Sequence, residues 1–306
     1  MSPRPTGAAA DEEPSDEPAT PNRHLVASVL HGLTILDMFN RSRRSIAIGE
    51  MAKQLGLHKS SASRLAATLA AAGYLEPDAQ AGVYRLGGRL AAVGRLAAED
   101  VDVERTVTPF LEELTWITGE TGHLAILDGK DSRTLAVTDG WHTVRMHSWV
   151  GKVSPAYCSS MGKALLAGRS DDEVRELYRG EQFETFTQHT VGSIQSLIRD
   201  LDVLRARGYG FDDEELEVGL RCVSAPIVDG DETVVASISI SGPSQRIDRH
   251  AVNKLAEHVR FAAAQASHAL GARQATPTGW ARAPEVEPAP LEWVERVRPK
   301  GMSRPQ

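Results

Sequence analysis

The chain has 306 residues, of which 41% are hydrophobic and 25% are charged, and its formal net charge is -7. This length allows two domains, each with its own core. The sequence contains no apolar run long enough to cross a membrane and no N-terminal secretory signal, and its two cysteines are too few for a disulfide framework. These features predict a cytoplasmic globular protein with no membrane partner.

The charge is distributed unevenly along the chain. Residues 22–95 contain ten Lys or Arg against four Asp or Glu, whereas residues 1–21 contain one Arg against five acidic residues. Because the whole chain is acidic, the part that follows residue 95 is acidic as well. A small basic module joined to a larger acidic region is typical of a protein that binds nucleic acid.

Both ends of the chain are rich in proline. Residues 1–22 combine Pro and Ala with acidic residues, so we predict a disordered N-terminal tail. Residues 272–306 have no hydrophobic period, which indicates a flexible C-terminal tail. Trp280 and Trp293 are candidate anchors to a partner, but the composition favours the flexible interpretation.

The segment after the N-terminal tail is predicted to be helical. HLVASVLHGLTILDMF places five apolar residues on one helix face, namely Leu25, Val29, Leu33, Leu36 and Phe39. A shorter helix, IGEMAKQLG, ends at Gly56. The small Ala52, the Gly56 turn and the apolar Leu57 and Leu65 are typical of a helix-turn-helix.

The helix after this turn begins KSSASR. Short hydroxyl side chains approach phosphates and base edges without bulk, and arginine can bind guanine through two hydrogen bonds. We therefore predict that this helix reads the major groove of DNA. The alternative, in which Ser60 and Ser61 only cap an ordinary helix, is less favoured because the basic segment and the Gly56 turn stand beside it.

The next stretch, GYLEPDAQAGVYRLG, predicts a β-hairpin. This hairpin would form a wing with Arg85 near the DNA backbone or the minor groove, and GRLAAVGRLAAED after it predicts another helix. With two loop arginines included, the predicted DNA contacts are Arg43, Arg44, Lys59, Ser60, Ser61, Ser63, Arg64 and Arg85. For Arg43 and Arg44, a solvated loop without DNA contact is an almost equally favoured alternative.

Strands and helices alternate in the second half of the chain. HLAILDG, SRTLAVTDG and VRMHSWVG are the first predicted strands. PAYCSSMGKALLAG predicts a helix that has Ser159 or Ser160 as its N-cap and runs to Gly168. The amides of the first turn of such a helix can bind an anion.

The segment RCVSAPIVDGDETVVASISISG predicts a β-hairpin. A turn at Gly230-Asp231 places Cys222 opposite Ser239, and a turn at Asp229-Gly230 places it opposite Ser237. In either register Cys222 shares one face with three serines, Ser237, Ser239 and Ser241. Such a polar face favours a pocket wall over a solvated sheet face.

These segments together resemble one family. SVLHGLTILDMF, IGEMAKQLGLHKSSASRLAATLAAAGYL and YRLGGRLAAVG are similar to the winged helix-turn-helix and linker helix of the IclR family of bacterial transcription regulators. TGETGHLAILDG, VRMHSWVG, MGKALLA, RARGYGFDDEELEVGLRCVSAPI and ISISGP resemble the effector-binding domain of that family, in the family's order. The resemblance covers about residues 24–271.

The resemblance implies a two-domain α+β protein. Its parts would be a winged helix-turn-helix DNA-binding domain (23–86), a linker helix (87–100) and a GAF-like α/β effector-binding domain (101–271). It also implies a homodimer or a dimer of dimers, which would bind a pseudo-palindromic operator in double-stranded DNA. Whether the regulator represses or activates stays open.

The resemblance also implies an effector site for a small organic acid of a catabolic pathway. Family members that bind oxo- or hydroxy-acids use amides at a helix start, an Asp, a Cys and two Ser. The matching positions here are Ser160, Met161, Asp212, Cys222, Ser239 and Ser241. Residues 157–161 read YCSSM where relatives commonly carry HATAL, so a larger or aromatic acid is an open alternative.

Motifs of common enzyme classes are absent from the sequence. It has no HExxH, GxSxG, Walker or GxGxxG pattern, so we predict no catalytic residue, no metal site and no cofactor. A thiol-dependent redox enzyme or sensor that uses Cys222, with Cys158 as the resolving thiol, is the alternative. A buried, inert or ligand-contacting cysteine is commoner, so we favour the regulator.

Overall fold

The computed structural model describes residues 26–40, 43–93, 102–302 and 304. The predicted N-terminal tail, Leu25, residues 94–100 of the predicted linker helix and the side chain of Trp293 lie outside this described part. The chain divides after residue 100 into two compact units, and each is described by itself.

The first unit is a small helical domain with a three-stranded sheet. Its elements are α1 (Ala27–Asp37), β1 (Ile46–Ala47), α2 (Ile48–Leu55), α3 (Lys59–Ala71), β2 (Leu75–Asp78) and β3 (Val83–Leu86). The strands pair antiparallel in the order β1-β3-β2, and residues 88–93 are helical. The side chains of Ile35, Met51, Ala62 and Ala66 are fully buried in its core, so α2, α3 and the hairpin form a winged helix-turn-helix.

The buried face of α1 agrees only in part with the predicted one, since Phe39 just after the helix is buried and Leu36 packs against the core. Val29 and Leu33 are 57% and 54% exposed, whereas Gly32 and Ile35 are buried. Both sets follow helical spacing, because α1 carries apolar residues on two sides. Periodicity alone does not tell which of two apolar faces contacts the core.

The second unit is built on a six-stranded antiparallel sheet. Its first elements are α4 (Val103–Thr118), β4 (Thr121–Asp128), β5 (Asp131–Thr138), β6 (Val153–Pro155), a 3-10 turn (Ala156–Cys158), α5 (Ser160–Leu166) and α6 (Asp171–Leu177). The others are α7 (Ile194–Arg207), β7 (Gly210–Asp213), β8 (Leu220–Val228), β9 (Val234–Pro243), α8 (Val252–Ala269) and α9 (Glu292–Glu295). The strand order is β6-β5-β4-β9-β8-β7.

The two faces of this sheet have different chemistry. Val223, Ile238 and Ile240 point to one face and are fully buried in a core with α4 and α8. The alternate positions, including Cys222 and Ser241, point to the other face, which α5 covers. Strand alternation thus separates an apolar core from a buried polar layer.

Both predicted hairpin registers are wrong. β8 and β9 pair Cys222 with Ser241 and Ser224 with Ser239. The loop has three residues rather than two, since Glu232 adopts the left-handed conformation (φ 60°) after a turn closed by the Glu232 amide and the Asp229 carbonyl. A further register shift lies between Ile227 and Val228. Together, the longer loop and this shift move Cys222 by an even number of positions along β9, from Ser239 or Ser237 to Ser241. An even shift keeps each side chain on its face of the sheet, so the predicted shared face of Cys222 and the three serines is confirmed.

Other predicted boundaries also change in the second unit. Ser159 is the N-cap of α5, and its Oγ accepts the Gly162 amide, while the helix ends at Leu166 rather than at Gly168. The predicted strand VRMHSWVG is irregular; residues 139–152 form turns and bends. We call residues 139–152 the covering segment.

The C-terminal residues pack on the second unit. Leu291 and Val294 are buried in its core, and Trp280 packs against the cluster of α5, α6 and α7. This packing differs from the predicted flexible tail, because isolated apolar side chains in a proline-rich segment can anchor it although they follow no period. Among the described helices, none has the length and hydropathy needed to span a bilayer.

Candidate functional site

The leading end of α3 forms the exposed surface of the helix-turn-helix. Gly56 closes α2 in the left-handed conformation (φ 64°), and the Leu57 amide donates to the Ala52 carbonyl at 2.9 Å. Helix α3 then begins with His58 as its N-cap and no side-chain cap bond. The serines of KSSASR therefore do not cap the helix, and the exposure of Ser60 and Ser61 fits both a DNA contact and a solvated helix start.

The predicted DNA contacts lie at this end of α3, in the loop before α2 and on the wing. Lys59, Ser60, Ser61 and Arg64 are exposed and Ser63 is half-buried. In the loop Arg44 is exposed, whereas Arg43 pairs with Glu50 at 3.3 Å. On β3 the exposed Arg85 pairs with Asp78 at 3.0 Å.

The second unit contains a small, partly enclosed cavity on the polar side of its sheet. Its volume is about 30 Å³, and it lies between the sheet, the start of α5 and the covering segment. Five of the six residues predicted for the effector line it, namely Ser160, Met161, Asp212, Cys222 and Ser241. Ser239 lies outside the wall because it belongs to the next pair of the hairpin, opposite Ser224. We call this space the effector cavity, after the effector site predicted from the sequence.

Sequence reasoning missed most of the remaining wall. These residues come from β4, β5, β6, β8, the covering segment and the loops before α5 and β8: His123, Thr134, Met146, Ser148, Lys152, Ser154, Ser159, Leu216 and Leu220. Antiparallel pairing brings His123 beside Ser239, 116 positions away in the chain by their numbers. A lone histidine in the apolar run HLAIL was the available signal.

Three polar atoms around the effector cavity lack hydrogen-bond partners. Nε2 of His123 and the hydroxyls of Ser148 and Ser160 are buried and bond to no described residue. The other ring nitrogen, Nδ1 of His123, lies 3.5 Å from Oγ of Ser241. Buried polar groups are normally hydrogen-bonded, so these three atoms offer partners to water or to a polar ligand in the cavity.

A buried charge cluster lies behind Asp212. The Asp212 Oδ1 accepts the Glu215 amide at 2.7 Å, Lys163 bonds the Glu215 carboxylate, and Lys163 Nζ lies 3.2 Å from Asp200. Burial and the neighbouring Glu215 raise the pKa of Asp212 to about 7. Near neutral pH Asp212 therefore changes between a hydrogen-bond donor and a charged acceptor.

The histidine and the lysine of the wall have different roles. Burial, and secondarily Lys152, lowers the pKa of His123 to about 4, so its imidazole is neutral at pH 7. Lys152, from the covering segment, brings an ammonium group to the cavity. Together with two unpartnered hydroxyls, this arrangement can bind the carboxylate of a small acid.

Neither cysteine has the surroundings of a reactive thiol. Cys158 and Cys222 are both buried and unpaired. Burial raises the pKa of Cys158 to about 12 and raises that of Cys222 as well, in both cases with a further contribution from Asp212. Reactive cysteines have a lowered pKa and an accessible thiolate, so this geometry does not support the thiol-based alternative.

Two family models match this chain. The model described as "IclR helix-turn-helix domain" matches residues 28–79, and the model described as "Bacterial transcriptional regulator IclR C-terminal" matches residues 96–268. The chain belongs to the IclR family. This membership confirms the resemblance drawn from the sequence motifs and the predicted fold class, a helix-turn-helix domain followed by an effector-type α/β domain.

Several IclR-family proteins are similar over most of their length. XynR of Escherichia coli is 33% identical over 247 residues (81% of this chain, 98% of XynR), and the transcriptional repressor IclR of E. coli is 34% identical over 248 residues (80% and 90%). Among solved structures, the repressor BlcR of Agrobacterium tumefaciens is 26% identical with a TM-score of 0.61 (80% and 97% covered). HmgR of Pseudomonas aeruginosa is 25% identical with a TM-score of 0.65 (81% and 99%). The curated relatives are named regulators and repressors, which confirms that this IclR-family chain is a transcriptional regulator and not an enzyme.

Proposed function

We propose that this IclR-family regulator binds a pseudo-palindromic operator and that a small organic acid in the effector cavity controls this binding. The observation that carries the proposal is the set of buried polar atoms without partners around one enclosed space. An acid can bond to these atoms, which no described residue satisfies.

Each polar group of the wall has a part in this binding. The hydroxyls of Ser148 and Ser160 and the ammonium of Lys152 donate hydrogen bonds to the carboxylate. The neutral His123 and the Asp212 carboxyl bond to an oxo or hydroxyl group elsewhere on the acid. Cys222 and Ser241 close the wall behind it.

The size of the effector cavity explains how binding can act on the rest of the protein. A volume of about 30 Å³ matches roughly one water molecule, so an acid with several heavy atoms must displace part of the wall. Met146 and Met161 are apolar wall residues with flexible side chains, and Met146 belongs to the irregular covering segment. A ligand that changes the wall in this way binds two arrangements with different affinity, which is the requirement for regulation.

At the other end of the chain, helix α3 enters the major groove, and Arg64 binds guanine while Lys59 and the serines contact phosphates and base edges. Arg43 and Arg85 exchange their carboxylate partners for phosphate. Two features support a homodimer. Val29 and Leu33 on α1 are exposed apolar residues that a second copy can cover, and two copies place two recognition helices on the half-sites of a palindrome. The protein acts in the cytoplasm, on the nucleoid when bound to DNA.

A thermal-shift screen of small organic acids tests the effector cavity. We expect at least one acid to stabilise the wild type, and Ser160→Ala and Ser241→Ala to weaken that stabilisation. Ser239→Ala is the matched control, since Ser239 is a buried serine on the same sheet face and outside the cavity wall. Equal losses for Ser239→Ala and Ser241→Ala would contradict the proposed site.

A further inference from the structure

The C-terminal residues 278–302 run across the second unit, and we call them the C-terminal strap. The Ala281 amide donates to the carbonyl of Arg205 at the end of α7, at 3.2 Å. Further along, the Ala289 carbonyl lies 3.2 Å from Nε2 of His258 on α8. The strap lies beyond residue 268, where the match to the family model ends.

The strap is anchored at the end of α4. Leu291 and Val294 are buried, 3% and 4% exposed. The Arg298 guanidinium carbon lies 3.9 Å from the centre of a Trp116 ring, and its Nη2 donates to the carbonyls of Trp116 (3.4 Å) and Ile117 (3.3 Å). Carbonyls in the last turn of a helix have no partner within the helix, and a cation is favoured there by the helix dipole.

The covering segment is anchored at the same helix end. Nε1 of Trp141 donates to the Trp116 carbonyl at 3.1 Å, so Trp141 and Arg298 share one acceptor. A Cβ on Gly119 would lie 2.6 Å from the Trp141 ring, and a Cβ on Gly140 would lie 2.2 Å from the Gly119 carbonyl oxygen. The start of the covering segment is therefore pressed directly against the end of α4.

From this shared anchor we infer that the C-terminal strap positions the covering segment over the effector cavity, with Arg298 as the positioning residue. Arg298 fixes the ring and the carbonyl of Trp116, and that carbonyl fixes Trp141. Trp141 in turn fixes the start of the chain that leads to Met146 and Ser148 in the cavity wall. Further along this chain, Arg246 and Thr121 bond to the carbonyls of Val144 and Met146.

This inference rests on the proposed function only where it calls the cavity an effector site. The mechanical link from strap to covering segment is measurable with no effector present. If the cavity binds no effector, the hydrogen-exchange result for the strap and the covering segment is therefore unchanged. If the strap and the covering segment are not linked, the outcome of the acid screen is unchanged.

Hydrogen exchange on the full-length chain, followed by mass spectrometry, tests the link. In Arg298→Ala we expect amides of both the strap and residues 139–152 to exchange faster by roughly tenfold, as expected for the loss of a partly desolvated cation–π contact. Arg296→Ala is the control, because that side chain is 78% exposed and pairs only loosely with Glu292, at 3.6 Å. In Arg296→Ala, the amides of the strap and of residues 139–152 should exchange at the wild-type rate.

Two results would overturn the inference. Faster exchange in the strap without a change in residues 139–152 would show that the strap does not position the covering segment, and unchanged exchange in both would show that Arg298 does not hold the strap. Strand β8 serves as the reference for global stability. If Arg298→Ala also accelerates amide exchange in β8, the milder variant Arg298→Lys replaces it. This variant keeps the charge but loses the planar guanidinium, and the same two results decide its outcome.

Discussion

Lys163 neutralises two carboxylates inside the second unit, and its replacement tests how much this buried charge cluster stabilises the fold. The side chains of Lys163 and Glu215 are 4% and 8% exposed, whereas that of Asp200 is 43% exposed. Lys163→Met removes the charge and keeps most of the aliphatic volume. Glu215 then remains buried without a cation.

The expected loss in the free energy of unfolding follows from this difference in burial between Glu215 and Asp200. Removing one partner of a buried ion pair costs about 3–5 kcal/mol, while the half-exposed pair with Asp200 contributes at most ~1 kcal/mol. Burial already raises the pKa of Glu215, and loss of Lys163 raises that pKa further. The folded variant then binds a proton more tightly than the unfolded chain, so its stability increases as the pH falls.

Tryptophan fluorescence measures this effect on the second unit alone. All five tryptophans follow residue 101: Trp116, Trp141, Trp149, Trp280 and Trp293. In urea unfolding at pH 7 we expect Lys163→Met to lower the free energy of unfolding by about 3–5 kcal/mol, with a smaller loss at about pH 5.5. The double variant Lys163→Met/Glu215→Gln should recover most of it. A loss below about 1 kcal/mol, or an equal loss at both pH values, would refute the reasoning.

Three further predictions concern single residues. Asp212→Asn should stabilise the second unit at pH 8 by up to roughly 4 kcal/mol, at ~1.4 kcal/mol for each pKa unit, because the pKa of Asp212 in the folded protein is raised to about 7. This gain should vanish below about pH 4, where the carboxyl is protonated in both the folded and the unfolded chain. A gain that does not depend on pH in urea unfolding would contradict this prediction. Arg64→Ala should weaken operator binding by roughly 1–3 kcal/mol and relax one base preference, whereas Arg85→Ala should weaken binding equally on all sequences and lower the salt slope by about 1; a binding assay in which both behave alike would contradict the assignment. Gly162→Ala should strongly lower the stability of the second unit, since the added Cβ would lie 2.2 Å from the backbone of Ala156. Gly192→Ala is the control and should leave the stability unchanged, because its Cβ would have no atom within 4 Å. Similar melting temperatures for the two variants would count against this packing.

The features that the sequence predicted correctly depend on local patterns. The Gly56 turn, the polar start of α3 and the strand alternation around Cys222 are properties of short segments, and the structure contains each of them. The side of α1 that faces the core was predicted only in part, since Leu36 contacts the core but Val29 and Leu33 are exposed; both sides of the helix carry apolar residues. The hairpin register was also wrong, since a non-glycine residue, Glu232, takes the left-handed position that lengthens the loop.

Much of the effector cavity could not be predicted because it is assembled across the sheet. His123 on β4 and Lys152 in the covering segment reach the wall through strand pairing and an irregular path, which no local pattern encodes. Ser239 shows the converse, since it shares the polar face and still lies outside the wall. The position of a residue on a sheet face is thus predictable, whereas its place in a cavity depends on what covers that face.

The most direct test of the account is selection of genomic DNA fragments by the purified protein at near-physiological salt, followed by measurement of operator affinity with and without the acid found in the thermal-shift screen. The account predicts one enriched pseudo-palindrome and an affinity for it that the acid changes in the wild type but changes less in Ser160→Ala. A flat selection profile, or an affinity that the acid leaves unchanged, would contradict it.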